Sequence, residues 1–161
     1  MFENLNLLQS GMAQSTSMLI FAHSLLRWLV LISVGMAGLI ALRGWIFKRP
    51  IIVWERMVAI VALVLCHVQV VFGLILYGVR FKRYVPPSFN AREIAFWKYE
   101  HLAMMLLAVI LVTVGRVLSK RAQTEQAKWK FIAIFYLIAL LLMCFSIPWP
   151  HTHIGMNREW L

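Results

Sequence analysis

Five histidines interrupt a chain that is otherwise largely apolar, and three of them, His23, His67 and His101, fall inside hydrophobic stretches. An ionisable ring within a bilayer is costly unless some group uses it, which makes each a candidate for proton, metal or haem chemistry. His23 and His101 are the best matched. Counted at about 1.5 Å per helical residue from the start of its stretch, each stands roughly 6 to 8 Å below the same membrane face. Neighbouring helices pack about 8 to 10 Å apart, so diagonal partners in a four-helix bundle lie roughly 11 to 14 Å apart. That separation admits a flat macrocycle with an imidazole on each side, the ligand set of a six-coordinate b-type haem. His23 and His101 are therefore the favoured axial pair.

His67, in Cys66-His67-Val68-Gln69, counts to mid-membrane, about 10 Å deeper than the other two. It is the alternative axial ligand, or a hydrogen-bond partner for a neighbouring helix, Arg27 being within reach. Arg27 follows His23 by one turn on the same face. A guanidinium there requires an anionic or carbonyl partner, and a haem propionate, a quinone oxygen, a lipid phosphate or Glu100 would serve. Glu100 also suits the role of acceptor for a ligand imidazole. Gly38 and Gly115 continue the histidine faces and would admit close approach by a helix or a porphyrin. His151 and His153, beyond Pro148-Trp149-Pro150, could join His23 and His101 in binding copper or zinc, since imidazole suits both metals. Met104 and Met105 beside His101 read as core packing rather than thioether ligands.

The elements that must position these residues follow from composition. Hydrophobic residues make up 62% of the 161 and mean hydropathy is +0.80, too little polar surface for a soluble domain of this length. About 20 apolar helical residues cross a hydrocarbon core of about 30 Å. The chain supplies that length four times, over approximately 18–42, 51–79, 97–118 and 131–149, with a polar or interfacial segment at 1–17 and a tail at 150–161. The expectation is an all-α, integral membrane, four-helix up-down-up-down bundle forming a single transmembrane domain. Ser15, Thr16 and Ser17 are candidate caps for the first span, Pro50 suits the position just before or at the first turn of the second, and Pro148 stops the fourth. Ala91 to Phe96 reads as a short interfacial helix.

Sixteen Lys and Arg against six Asp and Glu give a net charge of +10, but the bases cluster in short loops at span ends. Such clusters anchor headgroups and set topology, and no nucleic acid partner is expected. With both termini outside, the two inner loops hold nine basic residues against five in the middle loop, which favours that orientation. Cys66 and Cys144 lie within apolar spans and form no disulfide or metal-thiolate framework.

The strings His23-Ser-Leu-Leu-Arg-Trp28, His67-Val-Gln-Val-Val-Phe-Gly-Leu-Ile-Leu-Tyr77 and Glu100-His-Leu-Ala-Met-Met-Leu-Leu-Ala-Val-Ile-Leu-Val-Thr-Val-Gly-Arg116 resemble a family of short, four-helix bacterial membrane proteins commonly labelled cytochrome b. The resemblance covers nearly the whole stretch from His23 to Trp149. It implies a haem b, membrane electron transfer in the bacterial inner membrane, and His23, His67 and His101 as the positions carried over. The larger di-haem pattern uses two histidine pairs at two depths; no second pair occurs here near the opposite face, so at most one haem is implied.

The leading expectation is a single-haem b-type cytochrome subunit passing electrons between quinone or quinol and a partner redox protein, with other membrane subunits of a respiratory complex as neighbours. Two imidazoles would fill both axial positions, which makes the subunit a carrier rather than an enzyme by itself. The alternatives are a cofactor-free accessory subunit of a membrane respiratory assembly, helping to hold lipid or quinone, and a copper-handling membrane protein.

Overall fold

Four helices long and apolar enough to cross a membrane pack side by side, with no strand among the described residues. The computed structural model describes residues 2–83 and 90–149. The helices are α1 (Phe2–Ile46), α2 (Val53–Arg83), α4 (His101–Arg121) and α5 (Glu125–Ser146); a short α3 (Ala91–Ala95) and one π-helical turn (Phe96–Glu100) lead into α4. Contacts run α1 to α2, α2 to α4, α4 to α5 and α5 back to α1. Consecutive spans are therefore neighbours in a ring, and α1 faces α4 across its diagonal. Short connections make this the natural order for antiparallel helices.

Local signals explain most of the boundaries. Thr124 caps α5 by accepting the backbone N–H of Ala127, and Asn90 and Glu93 form a reciprocal capping box that starts α3. The α5 helix ends at Ser146, ahead of Pro148. Several boundaries differ from expectation: α2 runs on to Arg83 and α5 begins at Glu125 rather than near residue 131. Helix α1 begins at Phe2, so Ser15 to Ser17 lie within it rather than at its start; a run of Asn, Gln and Ser lowers helix propensity without breaking a helix already nucleated by a long span. The segment from Ala91 does not lie apart as an interfacial helix. It continues through the π-helical turn into α4, extending the third span to Ala91–Arg121.

The outer surface is apolar, with Phe21, Ile32, Leu39, Val61, Val71 and Phe145 all exposed. A soluble monomer does not present such a belt, and a lipid bilayer covers it. Inside, one half of the bundle is closed tightly. Gly38 and Gly44 leave room for Leu137 and Trp129, and Gly115 leaves room for Phe135, so all three glycines seat α5 against α1 and α4. Gly38 and Gly115 thus serve helix contacts. Trp129 donates its indole N–H to the carbonyl of Arg49 at 2.8 Å, and Tyr136 donates its hydroxyl to the carbonyl of Ala59 at 2.8 Å. These bonds tie α5 to the α1–α2 connection and, across the second diagonal, to α2. The half of the bundle nearer His23 and His101 holds a cavity.

Candidate functional site

A helical repeat of 3.6 residues places Cys66, Gln69, Val70, Gly73 and Tyr77 on one face of α2, and that face lines the cavity. His23 and Arg27, one turn apart on α1, line it from one side, and Trp97 and His101 from the opposite corner. Met143 and Ile147 of the α5 end complete the wall. The two histidines expected to pair thus share one cavity across the diagonal.

The π-helical turn has a direct part in this arrangement. The backbone N–H of His101 reaches the carbonyl of Phe96, five residues back, and such widened turns recur at functional sites because they re-aim the side chains around them. Trp97 and His101 come to lie with ring centroids 5.0 Å apart. His101 Nδ1 is 3.1 Å from the carbonyl oxygen of Ser146. A carbonyl can only accept, so Nδ1 carries the proton and the ring lone pair resides on Nε2. Outer hydrogen bonds of this kind fix the tautomer of ligand histidines and raise their basicity.

His23 is held differently. The Gln69 carboxamide nitrogen donates to the His23 carbonyl at 3.0 Å and lies 3.3 Å from His23 Nε2. One amide thereby restrains both the backbone and the ring of the same residue. The ring packs against α2 where Gly73 provides space: a Cβ added at Gly73 would stand 3.3 Å from His23 Cε1. His23 Nδ1 and Gln69 Oε1 are buried and have no hydrogen-bond partner among the described residues. Leaving a buried polar atom unsatisfied costs roughly 1–3 kcal/mol, so a polar partner at either atom would offset that cost.

No family model, no curated protein and no solved structure matches the chain. Its chemistry therefore rests on the cavity.

His67 stands apart from that cavity. It is exposed on the outer side of α2, and its Nδ1 donates to the Leu63 carbonyl one turn back at 2.8 Å. It touches neither Arg27 nor the His23–His101 pair. Glu100 likewise turns away from Arg27 and forms a two-pronged ion pair with Arg92. The Arg27 guanidinium lies 5.3 Å from the centroid of the Trp28 ring, within cation–π range. Trp28 in turn packs on Trp149 at 5.8 Å, and Trp149 donates its indole N–H to the Cys144 carbonyl at 2.8 Å, closing the end of α5 over α1.

Cys66 and Cys144 are both free thiols. Among the described residues no group of three His, Cys, Asp or Glu side chains converges as a metal site; His151 and His153 lie outside the described residues. The cavity encloses about 150 Å³, less than a cofactor-sized group needs, so such a group would extend into the open mouth. Cofactor pockets usually run to about 300–1,000 Å³. The mouth opens sideways into the bilayer, since Leu74 of α2 and Leu106 of α4 line the cavity and are also exposed on the lipid surface. Gln69 is the site residue that sequence reasoning missed.

Proposed function

We propose that the chain is a membrane electron-transfer subunit that holds one haem b between His23 and His101. The observation that supports this most directly is that these two imidazoles, from diagonal helices, line one cavity with His101 locked by Ser146 in the tautomer that leaves Nε2 as the donor atom. The donor set fits the group: two imidazoles, a guanidinium and apolar walls. A haem b held there supplies one-electron transfer with no open coordination position.

The chain's own residues do the rest. Ser146 keeps the His101 proton on Nδ1. His23 would hold the group through Nε2 only if its contact with Gln69 gave way, and the second Gln69 bond, to the His23 carbonyl, would still hold α2 against α1. Arg27 offers positive charge and planar donors suited to a carboxylate such as a propionate. Leu74 and Leu106 form the side opening in which one edge of a ligand of cofactor size rests. A single haem near one face does not carry electrons across the membrane, so the proposal includes a quinone or quinol on one side, a partner redox protein on the other, and further subunits of a respiratory complex. The matching location is a bacterial inner membrane with both termini periplasmic.

A second reading is favoured by one specific feature. The Gln69 contact on His23 Nε2, together with the side opening, suits a cofactor-free subunit that admits a quinone or quinol headgroup from the bilayer, a quinone oxygen accepting from the unsatisfied His23 Nδ1–H and a quinol hydroxyl donating to the unsatisfied Gln69 Oε1.

A pyridine-haemochrome spectrum of the purified, folded chain tests the proposal. The expected result is one haem b per chain, lost in His23→Ala and in His101→Ala and kept in His67→Ala. A folded protein without a haem band rejects it, and extraction of co-purified quinone from the same sample then decides the second reading.

A further inference from the structure

At the end of the bundle remote from His23 and His101 lies a second cavity of about 230 Å³ whose polar wall is almost wholly cationic. One water needs roughly 15 Å³ of such space, so the volume accommodates a tetrahedral anion and more. Arg56 comes from the first turn of α2, Arg116 and Lys120 from the last turns of α4, and Lys128 from the first turn of α5; no Asp or Glu lines the space. Lys128 is paired with Glu125 at 2.7 Å. The other nearby acid, Glu55, pairs with Arg49 at 3.4 Å. Arg56, Arg116 and Lys120 have no ion-pair partner among the described residues. Ser119 is buried in the same wall and adds a hydroxyl.

Arg56 also lies in the field of Glu125, so the charge left unbalanced is that of Arg116 and Lys120 on α4, and an anion between them removes the cost of their repulsion. Their depth identifies it. All lie at the ends of membrane spans, the level of lipid headgroups, and Ile51 and Ile132 complete the lining with apolar surface that a free ion would leave unused. Basic pockets between transmembrane helices are suited to anionic headgroups. We infer that this cavity binds the phosphate of an anionic phospholipid. It is independent of the histidine cavity and of whatever that cavity holds.

The test uses the full chain, delipidated in neutral detergent, with native mass spectrometry and thermal unfolding. Phosphatidylglycerol, phosphatidylcholine and inorganic phosphate are added in separate arms. Phosphatidylglycerol is expected to bind and to raise the unfolding temperature, phosphatidylcholine to do neither, and millimolar phosphate not to displace the bound lipid. Arg116→Gln and Lys120→Gln should each weaken phosphatidylglycerol binding about five-fold, the scale of one basic residue at a charged membrane surface. Arg43→Gln, a span-end base outside the cavity, should change it less than two-fold. Lys120 is exposed, so its variant reads the site even if Arg116→Gln fails to fold. Equal binding of the two lipids, or equal losses in Lys120→Gln and Arg43→Gln, overturns the site. Displacement of the lipid by phosphate overturns the lipid assignment.

Discussion

The Gln69 carboxamide on α2 donates to the carbonyl of His23 on α1 at 3.0 Å and sits 3.3 Å from the Nε2 of the same histidine. This couples the position of an intramembrane imidazole to a neighbouring helix through one side chain. If iron takes Nε2, the ring contact with Gln69 is its competitor. Gln69→Leu is then expected to bind haem at least as tightly as the parent, by up to about five-fold, the equivalent of one hydrogen bond worth about 1 kcal/mol. Haem titration of the apoprotein, followed in the Soret band, measures this. Weaker binding in Gln69→Leu would show that the amide supports the ligand rather than competing with it.

His67 makes the opposite prediction. Its ring is exposed on the lipid side of α2 and satisfies its Nδ1–H within its own helix, at the Leu63 carbonyl. Removing it empties no cavity and orphans no buried partner. His67→Leu should change unfolding free energy by less than about 0.5 kcal/mol, as at an ordinary surface position, and leave the haem content at one per chain. A loss of haem equal to that in His23→Ala would place the ligand site elsewhere.

How far the sequence reveals this site depends on which physical signal each residue carries. Matching depths of His23 and His101 were readable because residue counts convert directly to distance along a membrane helix, and short loops force their helices onto a diagonal. The side of α2 that faces inward was also readable, in the helical spacing of Cys66, Gln69, Gly73 and Tyr77. That face includes Gln69 and leaves His67 about 100° away, as 3.6 residues per turn requires. The more reactive residue type, His67, is exposed, and the less reactive Gln69 lines the cavity. The capping box of Asn90 and Glu93 was likewise a legible start signal for the third span. The π-helical turn was not legible, since Phe96 to Glu100 has no breaker or cap.

Gly115 and Gly78 form a matched pair for testing the packing. A Cβ at Gly115 would overlap the Cβ of Phe135, an atom fixed to its own backbone and unable to swing aside. Gly115→Ala should destabilise the bundle by about 1–3 kcal/mol through forced separation of α4 and α5. Nothing lies within 4 Å of the corresponding position at Gly78. Gly78→Ala should therefore stabilise α2 by about 0.5–1 kcal/mol, the entropic gain of alanine over glycine in a helix. Thermal unfolding of the two variants in the same detergent is the measurement, and shifts of the same sign would contradict the packing described.

The ion pair of Arg49 and Glu55, at 3.4 Å, is asymmetric because the Glu55 side chain is 1% exposed and that of Arg49 is 36% exposed. Glu55 also accepts the Ile52 N–H at 3.4 Å, near the start of α2, where the helix dipole favours negative charge. Losing the carboxylate frees an arginine that water and headgroups can solvate. Losing the arginine strands a carboxylate that they cannot reach. Arg49→Met should therefore cost about 2–3 kcal/mol, toward the lower end for breaking a buried pair, and Glu55→Gln less than about 1 kcal/mol, since an amide oxygen keeps the Ile52 bond. The double variant should recover most of the loss in Arg49→Met, because the stranded charge is gone. Unfolding free energies from all four proteins close the cycle, and equal costs for the two single variants would mean that Glu55 is stabilised without Arg49.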